Sequence, residues 1–229
     1  MIEREYIKIK KPVPLPDYTF LLRDLSDEFW QGWVFYYLLM FYKNYDTSEL
    51  RNRIQKEQHK KFPRVEREIA KYLRVYLNNN REFNLNFNAF GENTNDEEKE
   101  GNYDITIHNT YWSSDFHFEC KNLTPKANLI NEYVYVSSKK DGGIYRYFNG
   151  KYAQSQNFGG MLGFVLEGDI HVIKDKIIEK MKVPFDISSE GDLLETELNS
   201  IENNDFTFNS IHNRLGQNFK LHHLLFKLL

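Results

Sequence analysis

The stretches GNYDITI (residues 101–107) and DFHFECK (residues 115–121) carry the strongest fold signal in the chain. Side chains alternate between the two faces of a β-strand, and both stretches alternate apolar with polar residues. The pattern predicts strands at Tyr103 to His108 and at Asp115 to Lys121, with a turn at Tyr111 to Ser114 between them. If the two strands pair as a hairpin, their polar faces lie on the same side of a sheet.

The polar faces of these two strands carry two acids and a lysine. Glu119 and Lys121 share one face because they lie two residues apart, and Asp104 faces away from the apolar residues of its own strand. In a hairpin, Asp104 can reach Glu119, and two carboxylates are the oxygen ligands that Mg²⁺ or Mn²⁺ takes. Such a metal polarises a phosphoryl oxygen and lowers the pKa of a bound water, while Lys121 orients that water or offsets charge. The alternative is a surface Glu-Lys pair at a strand end and a turn aspartate.

A helix is predicted upstream of the strands, from about Arg64 to Leu77, with Pro63 at its first turn. Its apolar residues recur at spacings of three and four: Val65, Ile69, Leu73 and Leu77. Glu66 lies almost in line with this stripe, whereas Glu68 lies on another side of the helix. A glutamate within an apolar face is costly unless a metal or a lysine accompanies it. We therefore expect Glu66 to be the third metal ligand, with Glu68 as the second choice.

The remaining segments indicate a mixed α/β protein. Residues 1–61 form an N-terminal arm and helices, residues 62–182 the core, and residues 183–229 an extension of the same domain. The arm is followed by an aromatic-rich helix and a polar helix, and the chain ends in strands. The other predicted elements are helices at Asp24 to Tyr45, Glu49 to His59 and Ile170 to Lys182, and strands at Glu82 to Phe90, Met161 to Leu166, Phe206 to Leu215 and Phe219 to Leu229.

The order of motifs resembles the PD-(D/E)xK superfamily of restriction-endonuclease-like nucleases. Its signature is an acid on the first helix, an Asp in the second strand and (D/E)-x-K in the third, which Glu66, Asp104 and Glu119-Cys120-Lys121 match within residues 62–182. Asn102-Tyr103 stands where a proline often precedes the Asp. The resemblance implies a core of helix, three-stranded meander, helix and strand, and a Mg²⁺-dependent endonuclease acting on DNA in restriction or phage defence. The alternative is a non-catalytic nucleic-acid- or protein-binding module that retains this fold.

The charge pattern bears on the partner. The net charge of −3 and the pI near 6.2 count mildly against nucleic acid. The charge is uneven, however, with a basic run from Arg51 to Arg74 and an acidic one from Glu92 to Glu100. A local basic surface can bind phosphates, although a plain solvated helix face explains the basic run as well. The residues predicted to contact nucleic acid are Lys60, Arg64, Arg146, Lys151, His212 and Arg214.

Composition excludes several other classes. The single cysteine, Cys120, excludes an internal disulfide and a multi-cysteine zinc site, and no P-loop motif is present. The most apolar segment, Phe29 to Tyr42, is too short to span a membrane, and the N-terminus does not read as a secretory signal. We expect a cytoplasmic protein without a membrane partner. Aromatic residues make up 16% of the chain, which fits a core or a homo-oligomer interface.

Overall fold

A computed structural model describes residues 7, 9–15, 22, 24–91, 104–185, 187, 189–198 and 204–229. These residues form a mixed α/β fold. The helices are α1 (Asp27–Asn44), α2 (Thr47–Gln58), α3 (Val65–Asn79), α4 (Arg81–Asn84), α5 (Ala127–Tyr133) and α6 (Ile170–Met181). The strands are β1 (Phe87–Phe90), β2 (Ile105–Asn109), β3 (Phe116–Leu123), β4 (Phe158–Val165), β5 (Leu193–Leu198), β6 (Thr207–Arg214) and β7 (Gln217–Lys227).

The seven strands form one mixed sheet in the order β1-β2-β3-β4-β7-β6-β5. β1 and β2 pair antiparallel, β4 runs parallel to both β3 and β7, and β6 pairs antiparallel with β7 and β5. The chain divides into two compact units, Met1–Glu92 with Ile105–His117 and Asn93–Asp104 with Phe118–Leu229. The boundary between the units therefore crosses β3, between His117 and Phe118.

The first unit is built on the aromatic helix α1. Ser26 caps the helix by accepting a hydrogen bond from the main-chain N of Phe29, and ten of the helix residues are buried. The helix predicted at Asp24 to Tyr45 is thus confirmed, and its aromatic residues are largely interior. On α3, all four predicted stripe residues are buried, which confirms the helical phase: Val65, Ile69, Leu73 and Leu77.

The strand predicted from Glu82 to Phe90 was wrong in its first half. The chain forms the short helix α4 there, and the strand begins only at Phe87. Asn80 caps this helix, because its side chain accepts a hydrogen bond of 3.1 Å from the main-chain N of Phe83. The predicted acidic segment Glu92 to Glu100 and Tyr103 lie outside the described residues.

The second unit is organised around β4, all eight residues of which are buried. A strand between two parallel neighbours is covered on both faces, which explains its continuous apolar sequence. Glycine at position 163 leaves space that Leu123 and Leu225 fill, since a Cβ there would collide with both side chains. The helix predicted at Ile170 to Lys182 is confirmed as α6, on which Ile173 and Ile177 are buried and Ile178 is partly buried.

One strand of the second unit was not predicted. Residues 184–205 have an acidic, turn-rich composition, yet β5 occupies Leu193–Leu198 and pairs with β6 at the edge of the sheet. Glu195, Thr196 and Glu197 alternate poorly with apolar residues, because much of an edge strand faces solvent. Within the described residues, every helix is too short or too polar to cross a membrane.

Candidate functional site

Glu119 lies in the interior of the second unit. It was predicted to share the polar face of β3 with Lys121, and the two side chains are indeed in contact. Both faces of β3 are covered, however, so the side chain of Glu119 is only 1% exposed and that of Lys121 14%. A carboxylate at this depth is expensive unless charged or hydrogen-bonded partners surround it.

Three side chains supply those partners. Lys121 Nζ lies 2.5 Å and Arg146 Nη1 lies 2.6 Å from Glu119 Oε1. The hydroxyl of Tyr152 donates to Glu119 Oε2 at 2.9 Å. Both carboxylate oxygens therefore accept hydrogen bonds, and two cations offset the buried negative charge.

Arg146 joins this carboxylate to a second one. Its Nε and Nη2 donate to the two oxygens of Asp141, each at 2.8 Å, in a bidentate pair. The hydrogen bond to Asp141 is the largest cause that raises the pKa of Arg146, and the charge of Glu119 adds to it. Conversely, the Arg146 guanidinium lowers the pKa of Asp141 to about 2. We call Glu119, Lys121, Asp141, Arg146 and Tyr152 the Glu119 cluster.

A 3₁₀ turn and a glycine position the loop that carries Arg146 against β3. Arg146 sits in a single 3₁₀ turn at Tyr145–Tyr147, just after Gly142-Gly143. A Cβ at Gly143 would lie 2.8 Å from the carbonyl oxygen of Tyr133 and 3.4 Å from Cγ of Glu119, so glycine allows the loop to close on β3. Burial raises the pKa of Tyr152, which keeps its hydroxyl a proton donor.

Asp104 lies beside the cluster. Its Oδ2 accepts a hydrogen bond of 2.7 Å from the main-chain N of Cys120, the residue between Glu119 and Lys121. The acid predicted on one strand is thus bonded to the backbone of the next, directly beside the predicted E-x-K segment. Cys120 itself is fully buried, as the strand alternation predicted.

Glu66 belongs to the other unit. It occupies the first turn of α3 with a half-buried side chain, while Glu68 forms a 3.0 Å salt bridge with Arg53. Across the described residues, no three His, Cys, Asp or Glu side chains come close enough together to hold a metal ion. The oxygens of Asp104 and Glu119 suit Mg²⁺ chemically. Those of Glu119 are already engaged, so a cation would have to replace the contacts of Lys121 or Arg146.

The residues predicted to bind nucleic acid belong to both units. Lys60 pairs with Glu57, and Arg64, at the N-terminus of α3, is exposed and donates its main-chain N–H to Glu57. Lys151 is exposed and lies 3.9 Å from Asp141. Arg146 is engaged inside the Glu119 cluster and is not a separate surface contact.

His212 has an interior position that does not suit a contact with phosphate. It is fully buried, and its Nε2 lies 2.8 Å from the hydroxyl of Ser210, which in turn lies 2.7 Å from Nε2 of His223. The other ring nitrogen of His223 lies 2.9 Å from the hydroxyl of Tyr133. Burial lowers the pKa of His212 to about 4, so the ring is neutral near pH 7.

Asp141 and Tyr152 were not predicted as site residues. Their neighbourhoods stood out only as a Gly-rich turn and a mixture of tyrosines with basic residues, neither of which gives a period that points to Glu119. Tyr152 reaches Glu119 across 33 positions of the chain, and Asp141 joins the cluster only through Arg146. Comparison of the chain with family models, with curated proteins and with solved structures found no match.

Proposed function

We propose that this chain is a metal-dependent nuclease that hydrolyses phosphodiester bonds, with DNA as the preferred substrate and Mg²⁺ or Mn²⁺ as the cofactor. The observation that carries the proposal is the buried carboxylate of Glu119 held by Lys121 on the same strand, with Asp104 bonded to the intervening Cys120. Buried ion clusters reduce stability relative to apolar packing, so a site that retains one is a candidate for chemistry.

The order of elements gives further support. Apart from the short helix α4 between α3 and β1 and two 3₁₀ turns between α5 and β4, the chain runs from α3 through β1, β2 and β3 to α5 and then to β4, which is parallel to β3. This is the order expected of a restriction-endonuclease-like core. Glu66 on α3, Asp104 before β2, and Glu119 and Lys121 on β3 occupy the elements that the resemblance assigns to the catalytic residues.

Asp104, Glu119, Lys121 and Arg146 would each have a distinct role in such a site. A divalent cation bound by Asp104 and Glu119 would supply a bound water of lowered pKa and neutralise phosphoryl charge. Lys121 carries its ammonium beside Glu119, where it can stabilise the negative charge that develops on a phosphoryl oxygen. Asp141 holds Arg146 by two hydrogen bonds, which keeps the guanidinium of Arg146 beside Glu119 as a second positively charged side chain.

A second candidate is a binding module without catalysis. It is favoured by the completeness of the Glu119 cluster, in which two acids and two bases neutralise one another with no added ion. The net charge of −3 also fits a protein partner better than a polyanion.

Calorimetric titration with Mg²⁺ and Mn²⁺, alongside plasmid cleavage, separates the two functions. We expect wild type to bind the metal and cleave, Asp104→Asn to lose metal binding, and Lys121→Ala to lose roughly 10²-fold or more in cleavage rate while remaining folded. Lys176→Ala, at an exposed position of α6, is the matched control and should behave as wild type. A folded wild-type protein that neither binds these metals nor cleaves would favour the binding module.

A further inference from the structure

A half-open cavity of about 130 Å³ lies at the turn between β6 and β7, within the second unit. It shares no residue with the Glu119 cluster. Its walls come from the segment before β4 and from the β6–β7 hairpin. The lining residues are Gln154, Gln156, Asn157, Arg214, Leu215, Gln217, Asn218 and Phe219. We call this cavity the hairpin pocket.

The lining of the hairpin pocket has a distinctive chemistry. Five of its eight side chains are amides, each of which both donates and accepts hydrogen bonds, and Arg214 carries the only formal charge among the eight. A cationic group among amides suits a ligand that is anionic and also presents polar edges. A purely apolar ligand or a metal cation is a poor match for this lining.

The positive charge is held in a defined place. The guanidinium carbon of Arg214 lies 4.7 Å from the ring centroid of Phe219, and its Nη1 donates to the carbonyl oxygen of Gln156 at 3.2 Å. Phe219 is buried, so the ring gives the guanidinium a fixed support. A pre-positioned arginine loses less conformational entropy on binding an anion than a mobile surface lysine does.

The turn at the rim of the pocket places a leucine in the left-handed region of backbone conformation. Leu215 and Gly216 both have positive φ, 52° and 74°, as a two-residue type I′ hairpin requires. Leucine is unfavourable in this region, and its side chain is 82% exposed. The turn therefore holds an exposed apolar side chain at the rim of a polar pocket, where it can pack against a bound ligand.

A chain of aromatic contacts connects the hairpin pocket with the Glu119 cluster. Tyr152, which donates to Glu119, lies 5.4 Å from Tyr147 by ring centroids, and Tyr147 lies 5.7 Å from Phe219. Phe219 in turn supports Arg214. The pocket is therefore linked to the cluster through the packed side chains of Tyr147 and Phe219.

We propose that the hairpin pocket binds one nucleotide of a polynucleotide strand, away from the bond that is cleaved. Arg214 takes the phosphate, the amides bond to the edge of the base, and Leu215 packs against its face. The identification of the strand as substrate rests on the proposed function, whereas nucleotide binding by the pocket requires neither metal nor cleavage.

The test is an NMR titration of the full chain with each of the four deoxynucleoside monophosphates, with EDTA present. We expect amide shifts concentrated at residues 154–157 and 214–219, and an affinity at least about 10-fold weaker in Arg214→Gln. Arg214→Lys should recover part of the affinity, and Lys176→Gln is the matched control for loss of one positive charge. Gln217→Leu, at an exposed pocket position, provides a second variant if Arg214→Gln does not fold.

The proposal is overturned by an absence of shifts at the hairpin pocket for all four nucleotides, or by unchanged affinity in the folded variants. It is also overturned if inorganic phosphate binds as tightly as the nucleotides, because the amides would then recognise no base. EDTA removes divalent ions, so failure of the nuclease proposal leaves this result intact. A wild-type protein that cleaves DNA with a metal but binds none of the four nucleotides at the hairpin pocket would reject the nucleotide-binding proposal and leave the nuclease proposal standing.

Discussion

The buried carboxylate of Glu119 is surrounded by partners that lie at two different distances from it along the chain. Lys121, two residues away, follows from strand alternation and was predicted from the sequence. Arg146 lies 27 residues after Glu119, and its 3₁₀ turn has no periodic pattern that would reveal the contact. Local spacing thus identifies the near half of the Glu119 cluster, and only the folded loop identifies the far half.

Asp141 should confer stability that depends on pH. Its pKa is lowered from 3.8 to about 2, chiefly by the hydrogen bond from Arg146. A lowered carboxyl pKa stabilises the folded state above the unfolded value, and this stability is lost as the pH falls from 3.8 through about 2. We expect Asp141→Asn to reduce the free energy of unfolding by about 1 kcal/mol at neutral pH, since the pair is partly exposed.

Urea unfolding of wild type and Asp141→Asn over a pH series measures this effect. The difference between the two proteins should shrink below pH 3.8 and disappear as the pH falls through the lowered pKa of about 2. Asp175→Asn, at an exposed position of α6, serves as the control and should show no such convergence. A difference that stays constant over the whole series would mean that Asp141 acts through packing and not through its charge.

At the scale of elements, β6 shows that side-chain alternation does not determine which face of a strand is buried. Ser210 and His212 share a face of the strand because they lie two residues apart, and His212 was predicted to contact nucleic acid, but a pattern of alternate residues does not reveal which face another layer covers. The two residues proved to be buried in a hydrogen-bonded row with His223 of β7, so a strand that looked exposed is interior.

The buried histidines of β6 and β7 should destabilise the protein in mild acid. Burial lowers the pKa of His212 to about 4 and that of His222 to about 3. Between pH 6.5 and these values the unfolded chain binds protons that the folded chain does not, so the stability present above pH 6.5 is lost as the pH falls. Each such histidine contributes a slope of up to about 1.4 kcal/mol per pH unit.

The prediction is checked with His212→Gln, which removes one titrating ring. Its unfolding free energy should be lower than that of wild type at neutral pH and should depend less steeply on pH between 6.5 and about 4. His171→Gln replaces an exposed histidine of α6 and should leave the slope unchanged. An equal slope in wild type and His212→Gln would show that the ring is protonated in the folded protein.

For the whole molecule, composition and periodicity predicted the α/β class and the main helices and strands, but not the division into two units. That division depends on which distant elements pack together. The basic run from Arg51 to Arg74 illustrates the difference, because Arg53 bonds to both Glu49 and Glu68 and so adds less to an open surface than its sequence position suggests.

The double variant Lys60→Glu with Arg64→Glu tests the basic run as a DNA surface. We expect weaker DNA binding and a dependence of log affinity on log salt that is shallower by about 2, since each lost phosphate contact removes about 0.9 from the slope. Mg²⁺ affinity should not change, because neither residue belongs to the Glu119 cluster and neither is a proposed metal ligand. Fluorescence anisotropy with a labelled duplex at several salt concentrations provides the measurement.

Lys60→Gln is the first control, since Lys60 also neutralises Glu57. Reversal of Lys176 and Lys182 on α6 is the second, because it changes the net charge equally in the other unit. DNA affinity that is unchanged in the Lys60 and Arg64 variant would move the binding surface elsewhere. It would also favour the interpretation of this run as a solvated helix face.

Cys120 is the only cysteine in the chain and is fully buried, with its amide bonded to Asp104. A thiol reagent reaches the sulfur only when β3 separates from its neighbours, so the rate of alkylation reports the local opening of the segment that carries Glu119 and Lys121. In the wild-type protein, the rate of alkylation of Cys120, followed by mass spectrometry, therefore measures how often the candidate site opens, and no cysteine has to be introduced.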